Sequence, residues 1–227
     1  MRIRVIIPAG TPGKLTRYFF LAIAIGCLGY FGYALAERVL YQTRESRAFD
    51  RARRRDAAGP MVAPRPAPVE IHRRSRLKPA SRPKAALPGE LIGRLSVPRL
   101  QMAAMVREGV DPYTLQLAIG HIPETPLPGQ IGNVGVAGHR DTFFRNLQNL
   151  HSGDKIQFVT ADADFEYEVE SLVVVEPANV AVLAASADNV LTLVTCYPFT
   201  YVGNAPKRFV VRARQVSPAA VAWSAVK

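Results

Sequence analysis

From Gly89 onward, short apolar runs alternate with turn residues. The runs fall at 91–97, 102–106, 134–137, 155–160, 165–175, 190–196 and 209–214. Within the fifth, Phe165-Glu166-Tyr167-Glu168-Val169-Glu170 alternates strictly, which is the period of a strand with one buried face. Helical patterning is scarce: residues 113–119 and 180–185 are candidates, and 143–147 suits a single turn. Seven or so strands within about 130 residues predict a mainly β domain, a closed or nearly closed β-barrel with a few short helices. A domain of this size can bury a sound core without disulfides or metal.

The N-terminal third is patterned differently. Residues 18–36, YFFLAIAIGCLGYFGYALA, form a run of nineteen without a charge. As a helix they reach about 28 Å, close to the hydrocarbon thickness of a bilayer. Tyr18 and Tyr33 lie near the two ends, where interfacial aromatics sit. The run exceeds the core of a signal peptide, which predicts a retained transmembrane anchor. Ala34-Leu35-Ala36 would suit cleavage in the alternative. Residues 1–17 form a basic tail. Residues 37–88 read as a linker: Glu37 to about Ala57 can continue the helix, Gly59-Pro60 ends it, and a Pro/Arg-rich spacer follows. The barrel is expected over 89–217 and a short tail over 218–227.

Charge at first suggests a different class of protein. The net charge is +11, as in many nucleic-acid binders. Residues 37–88 hold fourteen Lys/Arg against five Asp/Glu, and residues 1–36 hold four Lys/Arg and no acid. The expected barrel and tail hold eleven against thirteen. A nucleic-acid-binding domain carries its basic footprint on its folded surface, so nucleic acid is excluded as a partner. The basic segment instead suits anionic lipid or an anionic envelope polymer. Because it flanks the apolar run on both sides, charge bias alone leaves topology open.

Two cysteines occur, Cys27 inside the apolar run and Cys196 in the domain, which makes no disulfide framework. Cys196 ends the run Thr192-Leu193-Val194-Thr195-Cys196, and Arg208 begins the next one. His139, in Gly138-His139-Arg140-Asp141, also follows an apolar run. A thiol is an intrinsically strong nucleophile, an imidazole can take or return its proton, and a guanidinium can stabilise an oxyanion. Three such groups at strand ends suit covalent acyl transfer. The order His before Cys excludes a papain-like arrangement.

These motifs, together with Pro206-Lys207-Arg208-Phe209, closely resemble those of sortases, the membrane-anchored cysteine transpeptidases of bacterial surfaces. The wording around His139 and Cys196-Tyr197-Pro198-Phe199 is most similar to the class D branch. The resemblance covers residues 89–216. It implies an eight-stranded barrel in which Cys196 attacks the Thr carbonyl of an LPxT-type sorting signal to give a thioacyl-enzyme. His139 would move the proton, and Arg208 would hold the reacting carbonyl. It implies as partners secreted proteins with a C-terminal sorting signal, an amine acceptor on peptidoglycan precursor or another protein, and membrane lipid. It also implies a single-pass cytoplasmic-membrane protein with an extracytoplasmic catalytic domain.

Each assignment has a plainer counterpart. Cys196 could be a small buried residue, His139 a turn histidine, and Arg208 a surface charge. His121 is the rival base, with loop ordering as its alternative role. Thr195, Tyr197, Tyr201 and His121 are candidate substrate contacts. Four scattered histidines lack ligand spacing, so neither metal nor cofactor is expected. Asp162, Asp164 and Glu166 read as solvated turn charges rather than a calcium site. A thiol hydrolase using the same site, and a non-catalytic envelope-binding barrel, are the competing functions.

Overall fold

Eight strands close into one barrel in the computed structural model, which describes residues 13–58 and 86–219. They are β1 (Leu91–Val97), β2 (Met102–Glu108), β3 (Ile119–His121), β4 (Gly132–Ala137), β5 (Lys155–Thr160), β6 (Asp164–Val175), β7 (Asn189–Tyr197) and β8 (Lys207–Ala219). Around the barrel the order is β1-β2-β3-β4-β7-β8-β6-β5. Closure removes the free sheet edges that would otherwise template aggregation. Two neighbouring pairs, β2 with β3 and β4 with β7, are parallel, and the others are antiparallel.

Parallel neighbours need a crossover. Between β2 and β3 it carries the short helix α2 (Pro112–Leu117). Asp111 caps that helix by accepting from Thr114 N at 3.0 Å, and Pro112 occupies the first turn, where a missing N–H costs nothing. Hydrogen bonding from the Thr114 side chain, and secondarily from its backbone N–H, holds the Asp111 carboxyl below its usual range. Two 3-10 turns, Arg145–Asn149 and Val180–Leu183, stand where single turns or short helices were expected. The eighth strand, β3, has three residues and no run of its own in the sequence pattern. It is held by its partners: Val106 pairs with Ile119 on one side, and Gly120 with Ala137 on the other.

Alternation sorts the strands into faces. Leu191 and Leu193 of β7 and Val211 and Ala213 of β8 are fully buried in the core, with Leu95, Phe158, Tyr167 and Val136. Tyr197, Phe199 and Phe209 close one end of this core, with Phe199 edge-on to both other rings at centroid distances of 6.0 and 5.3 Å. Truncating a residue such as Leu193 to Ala would cost about 2–5 kcal/mol.

The chain divides at Leu40/Tyr41 into two units, though the helix α1 (Lys14–Ala58) is unbroken across that point. In the first unit α1 is long and apolar enough to cross a membrane, with a mean hydropathy of 1.9 over its most apolar window. Its large side chains, Phe19, Phe20, Leu28 and Phe31 among them, are exposed.

Within the second unit, the end of α1 packs on the barrel. Gln42 accepts from Met105 N at 2.9 Å and donates to Leu117 O at 2.7 Å. Arg94 reaches Ser46 and Asp50, Phe49 is buried, and Arg53 pairs with Asp164 at 2.6 Å. Spacings of four, three, one and three residues put Gln42, Ser46, Phe49, Asp50 and Arg53 on one helical face. The stretch read as linker thus includes packed helix. Its Pro/Arg-rich part at 59–85, the basic tail at 1–12 and residues 220–227 lie outside the described residues. β8 extends to Ala219, two residues past the expected barrel boundary at 217.

Candidate active site

Cys196 and Arg208 are direct cross-strand partners in the antiparallel β7–β8 ladder. Directly opposed residues present their side chains on the same face. The odd positions Leu191, Leu193 and Tyr197 of β7, and Phe209, Val211 and Ala213 of β8, belong to the core. The even positions, Cys196 and Arg208 among them, lie on the opposite face of the two strands, where Thr192 and Val210 are buried while Cys196 and Arg208 are partly exposed. The thiol is half-buried and free of any disulfide. Val175, at the end of β6, pairs with Arg208 on its other side.

His139 arrives from the parallel neighbour. Ala137 of β4 pairs with Val194 of β7, and Gly138 N donates to Val194 O at 3.2 Å. Thr195 Oγ1 then donates to Gly138 O at 2.7 Å. These bonds lay the chain entering His139 beside the chain entering Cys196. Gly138 is required here by close approach. A Cβ at this position would fall 2.8 Å from the Phe144 ring, inside van der Waals contact. The turn is closed by Thr142 N and Phe144 N, which both donate to His139 O. His139 itself is exposed, and its ring makes no hydrogen bond among the described residues.

Arg208 Nη1 donates to Ala205 O at 3.3 Å and to Lys207 O at 3.1 Å. The guanidinium is thus held at the end of the β7–β8 loop, residues 198–206. Arg140, the residue after His139, is buried and reaches the same loop. Its Nη1 donates to Pro198 O at 2.7 Å, and its Nη2 donates to Tyr201 O and, at 3.4 Å, to Gly203 O. Arg145 adds a bond to Phe199 O at 3.2 Å. Sequence reasoning noticed Arg140 only as part of a motif. Its partners lie 58–63 residues away, so no local pattern signals them.

The candidate substrate contacts separate. Tyr201 is 46% exposed on the loop. Tyr197 stacks on Phe209 at 6.3 Å. Thr195 is buried and bonded to Gly138. His121 is buried, with Nδ1 2.6 Å from Glu108 Oε2 and Nε2 3.0 Å from both Pro126 O and Thr125 Oγ1. Thr125 Oγ1 also donates to Ile122 O at 2.7 Å, which ties this side of the ring into the loop. Of the turn acids, Asp164 is paired with Arg53, and Glu166 lies 3.7 Å from Lys155.

A thiol, a solvent-facing imidazole and a guanidinium on neighbouring strand ends are the groups that covalent acyl transfer uses. The sequence profile of the Sortase domain matches residues 95–216, more than half of the chain. The chain belongs to the sortase family. It is 32% identical over 130 residues to Sortase D of Bacillus subtilis strain 168, an alignment covering 57% of this chain and 66% of that one. The fold matches that of a Clostridium perfringens Sortase D5 transpeptidase with a TM-score of 0.57 at 21% identity, over 80% of this chain and 99% of that one. A sortase from Actinomyces oris, SrtA, superposes with a TM-score of 0.53 at 31% identity, over 59% of this chain and 83% of that one. The chain spans between 37% and 66% of the length of the first curated relatives it matches.

Proposed function

We propose that this protein is a membrane-anchored cysteine transpeptidase of the class D type. It cleaves an LPxT-type sorting signal and transfers the protein to an envelope amine. The observation that carries this reading is the pairing of Cys196 with Arg208 across β7–β8, beside the strand end that delivers His139.

In the first half-reaction the Cys196 thiolate attacks the Thr carbonyl carbon of the signal. The carbonyl oxygen takes up the negative charge, and the Arg208 guanidinium stabilises it there. Collapse of this intermediate breaks the peptide bond, His139 gives its proton to the departing amine, and a thioester remains on Cys196. In the second half-reaction an incoming amine loses a proton to His139 and attacks the thioester. A new amide forms as the C–S bond breaks, and the Cys196 thiolate and protonated His139 of the starting state are restored. Tyr201 is the proposed contact for bound peptide, while Thr195, Tyr197 and His121 support the site from buried or packed positions. The proposed partners are secreted proteins bearing the signal and an amine on peptidoglycan precursor or on another protein. Residues 18–36 anchor the protein in the bacterial cytoplasmic membrane by a single pass, with the barrel outside the cytoplasm.

The test is to incubate the detergent-solubilised chain with LPxT-type peptides, with and without a primary amine, and to analyse the products by mass spectrometry. An amide joining peptide and amine, absent in Cys196→Ala, is expected. Cleavage that yields only free acid whatever the amine makes the protein a hydrolase. No Cys196-dependent product across a broad peptide library removes the enzymatic reading.

A further inference from the structure

Arg140 is the buried cation beside the proposed reacting groups that the chemistry above leaves without a task. Its residue exposure is 5%. A guanidinium is expensive to desolvate unless its donors find acceptors. Asp141 Oδ1 lies 3.4 Å from Nε but on a side chain 64% exposed, and Nε makes no hydrogen bond. The compensation therefore comes from elsewhere, namely the carbonyls of Pro198, Tyr201 and Gly203. All three belong to the loop that starts just after Cys196 and ends just before Arg208.

That loop has little else to hold its middle. Phe199 is buried against Tyr197 and Phe209, but Thr200, Tyr201, Val202, Gly203 and Asn204 are exposed. Val202 is 94% exposed. Tyr201 N donates to Pro198 O across a long 3.3 Å. Hydrophobic packing, the usual source of order, is absent from this stretch. A planar fork with donors on separate nitrogens gathers the carbonyls instead. The far end of the loop supplies Ala205 O, which holds Arg208.

We propose that Arg140 is the positioning residue of this site. It clamps the β7–β8 loop so that Arg208 and Cys196 keep their register with His139. His139 and Arg140 are sequence neighbours with opposite exposures, one presented to solvent and one turned inward. A single dipeptide thereby presents the proton carrier and fixes the loop that links the other two groups. Arg145, half-exposed and bonded to Phe199 O, assists from the same segment. The activity arm of the test rests on the transpeptidase reading; the loop-order arm does not.

The experiment compares the full-length chain in detergent with Arg140→Gln, Arg140→Lys and Arg145→Gln. It measures steady-state kinetics on a sorting peptide, thermal midpoint and amide hydrogen exchange. Arg140→Gln is expected to lower kcat about 10²-fold, because an ångström-scale misplacement costs that much, while KM moves about threefold or less. Exchange of the Tyr201 amide, the loop N–H bonded to Pro198 O, should quicken about tenfold or more while residues 190–194 stay protected. Arg140→Lys should not restore kcat, since one ammonium cannot span carbonyls that two guanidinium nitrogens reach. Arg145→Gln should act in the same direction, more weakly.

Loop exchange unchanged in Arg140→Gln overturns the clamp. So does exchange that rises in β7 and the loop together, which marks a contribution to stability alone. Faster loop exchange with kcat retained overturns the positioning role. A wild-type chain inert toward every sorting peptide would remove the transpeptidase reading and with it the catalytic half of this proposal, leaving the exchange result to decide whether the clamp exists.

Discussion

His139 and His121 stand on neighbouring segments of the same barrel, one following β4 and the other ending β3. Their surroundings are opposite. His121 is almost completely enclosed, and its ring nitrogens are engaged by Glu108, Thr125 and the carbonyl of Pro126. His139 lies exposed, beside the β7 end that carries Cys196, with no protein partner on its ring among the described residues. A ring whose nitrogens are committed to packing is poorly suited to shuttle protons. A ring left open at a strand end can do so. The comparison separates a histidine held in a buried hydrogen-bonded network from one open to solvent, although both follow a glycine in the sequence.

The largest expected effect lies on His139. His139→Ala should lower turnover of a sorting peptide by about 10²–10⁴-fold, the usual contribution of general acid–base catalysis. Its thermal midpoint should stay within about 2 °C of wild type, as for a surface substitution. His121→Ala should do the reverse. It leaves Glu108 and Pro126 O without their buried partner, so stability should fall by about 3 kcal/mol. Turnover per folded molecule should stay within about tenfold of wild type. Calorimetry beside steady-state kinetics checks both, and a reversal of the two phenotypes would break the distinction. Arg208→Lys comes next, with an expected loss of about 10–100-fold in kcat/KM, because a point charge does not reproduce the planar fork.

The smallest effect lies away from the site and serves as a control. Arg99 binds Asp154 through paired contacts, including one of 2.6 Å. This interaction is the main cause holding the Asp154 carboxyl below its usual range. A depressed folded pKa stabilises the native state above the ordinary carboxylate range, and that contribution is lost as pH falls through the depressed value. Asp154→Asn should lower the thermal midpoint at neutral pH by about 1–3 °C, the scale of a screened surface pair. The difference from wild type should vanish at strongly acidic pH, and turnover at neutral pH should be unchanged.

Much of this arrangement was legible in the residues. Apolar runs bounded by turn residues marked seven of the eight strands, including the β1 and β5 spans, because a strand with a buried face concentrates apolar side chains; strict alternation stood out only at the start of β6. It missed β3, since Ile119-Gly120-His121 is too short to show a period. Cys196, His139 and Arg208 stood out because each closes or opens an apolar run. The docked end of α1 did not stand out: Gln42, Ser46, Asp50 and Arg53 bind through polar side chains, and with Phe49 alone they make no apolar stripe. The carbonyl partners of Arg140 were equally hidden. A backbone carbonyl has no residue identity, so a side chain that reads three of them leaves no trace in the composition of the loop.

The central claim is that one sulfur carries the acyl group and one imidazole moves the proton. Peptide mapping by mass spectrometry after brief exposure to a sorting peptide tests it most directly. The expected result is an acyl mass on the peptide containing Cys196, absent in Cys196→Ala and strongly reduced in His139→Ala. Acylation found on Cys27 instead, or formed at the wild-type rate without His139, would contradict the account.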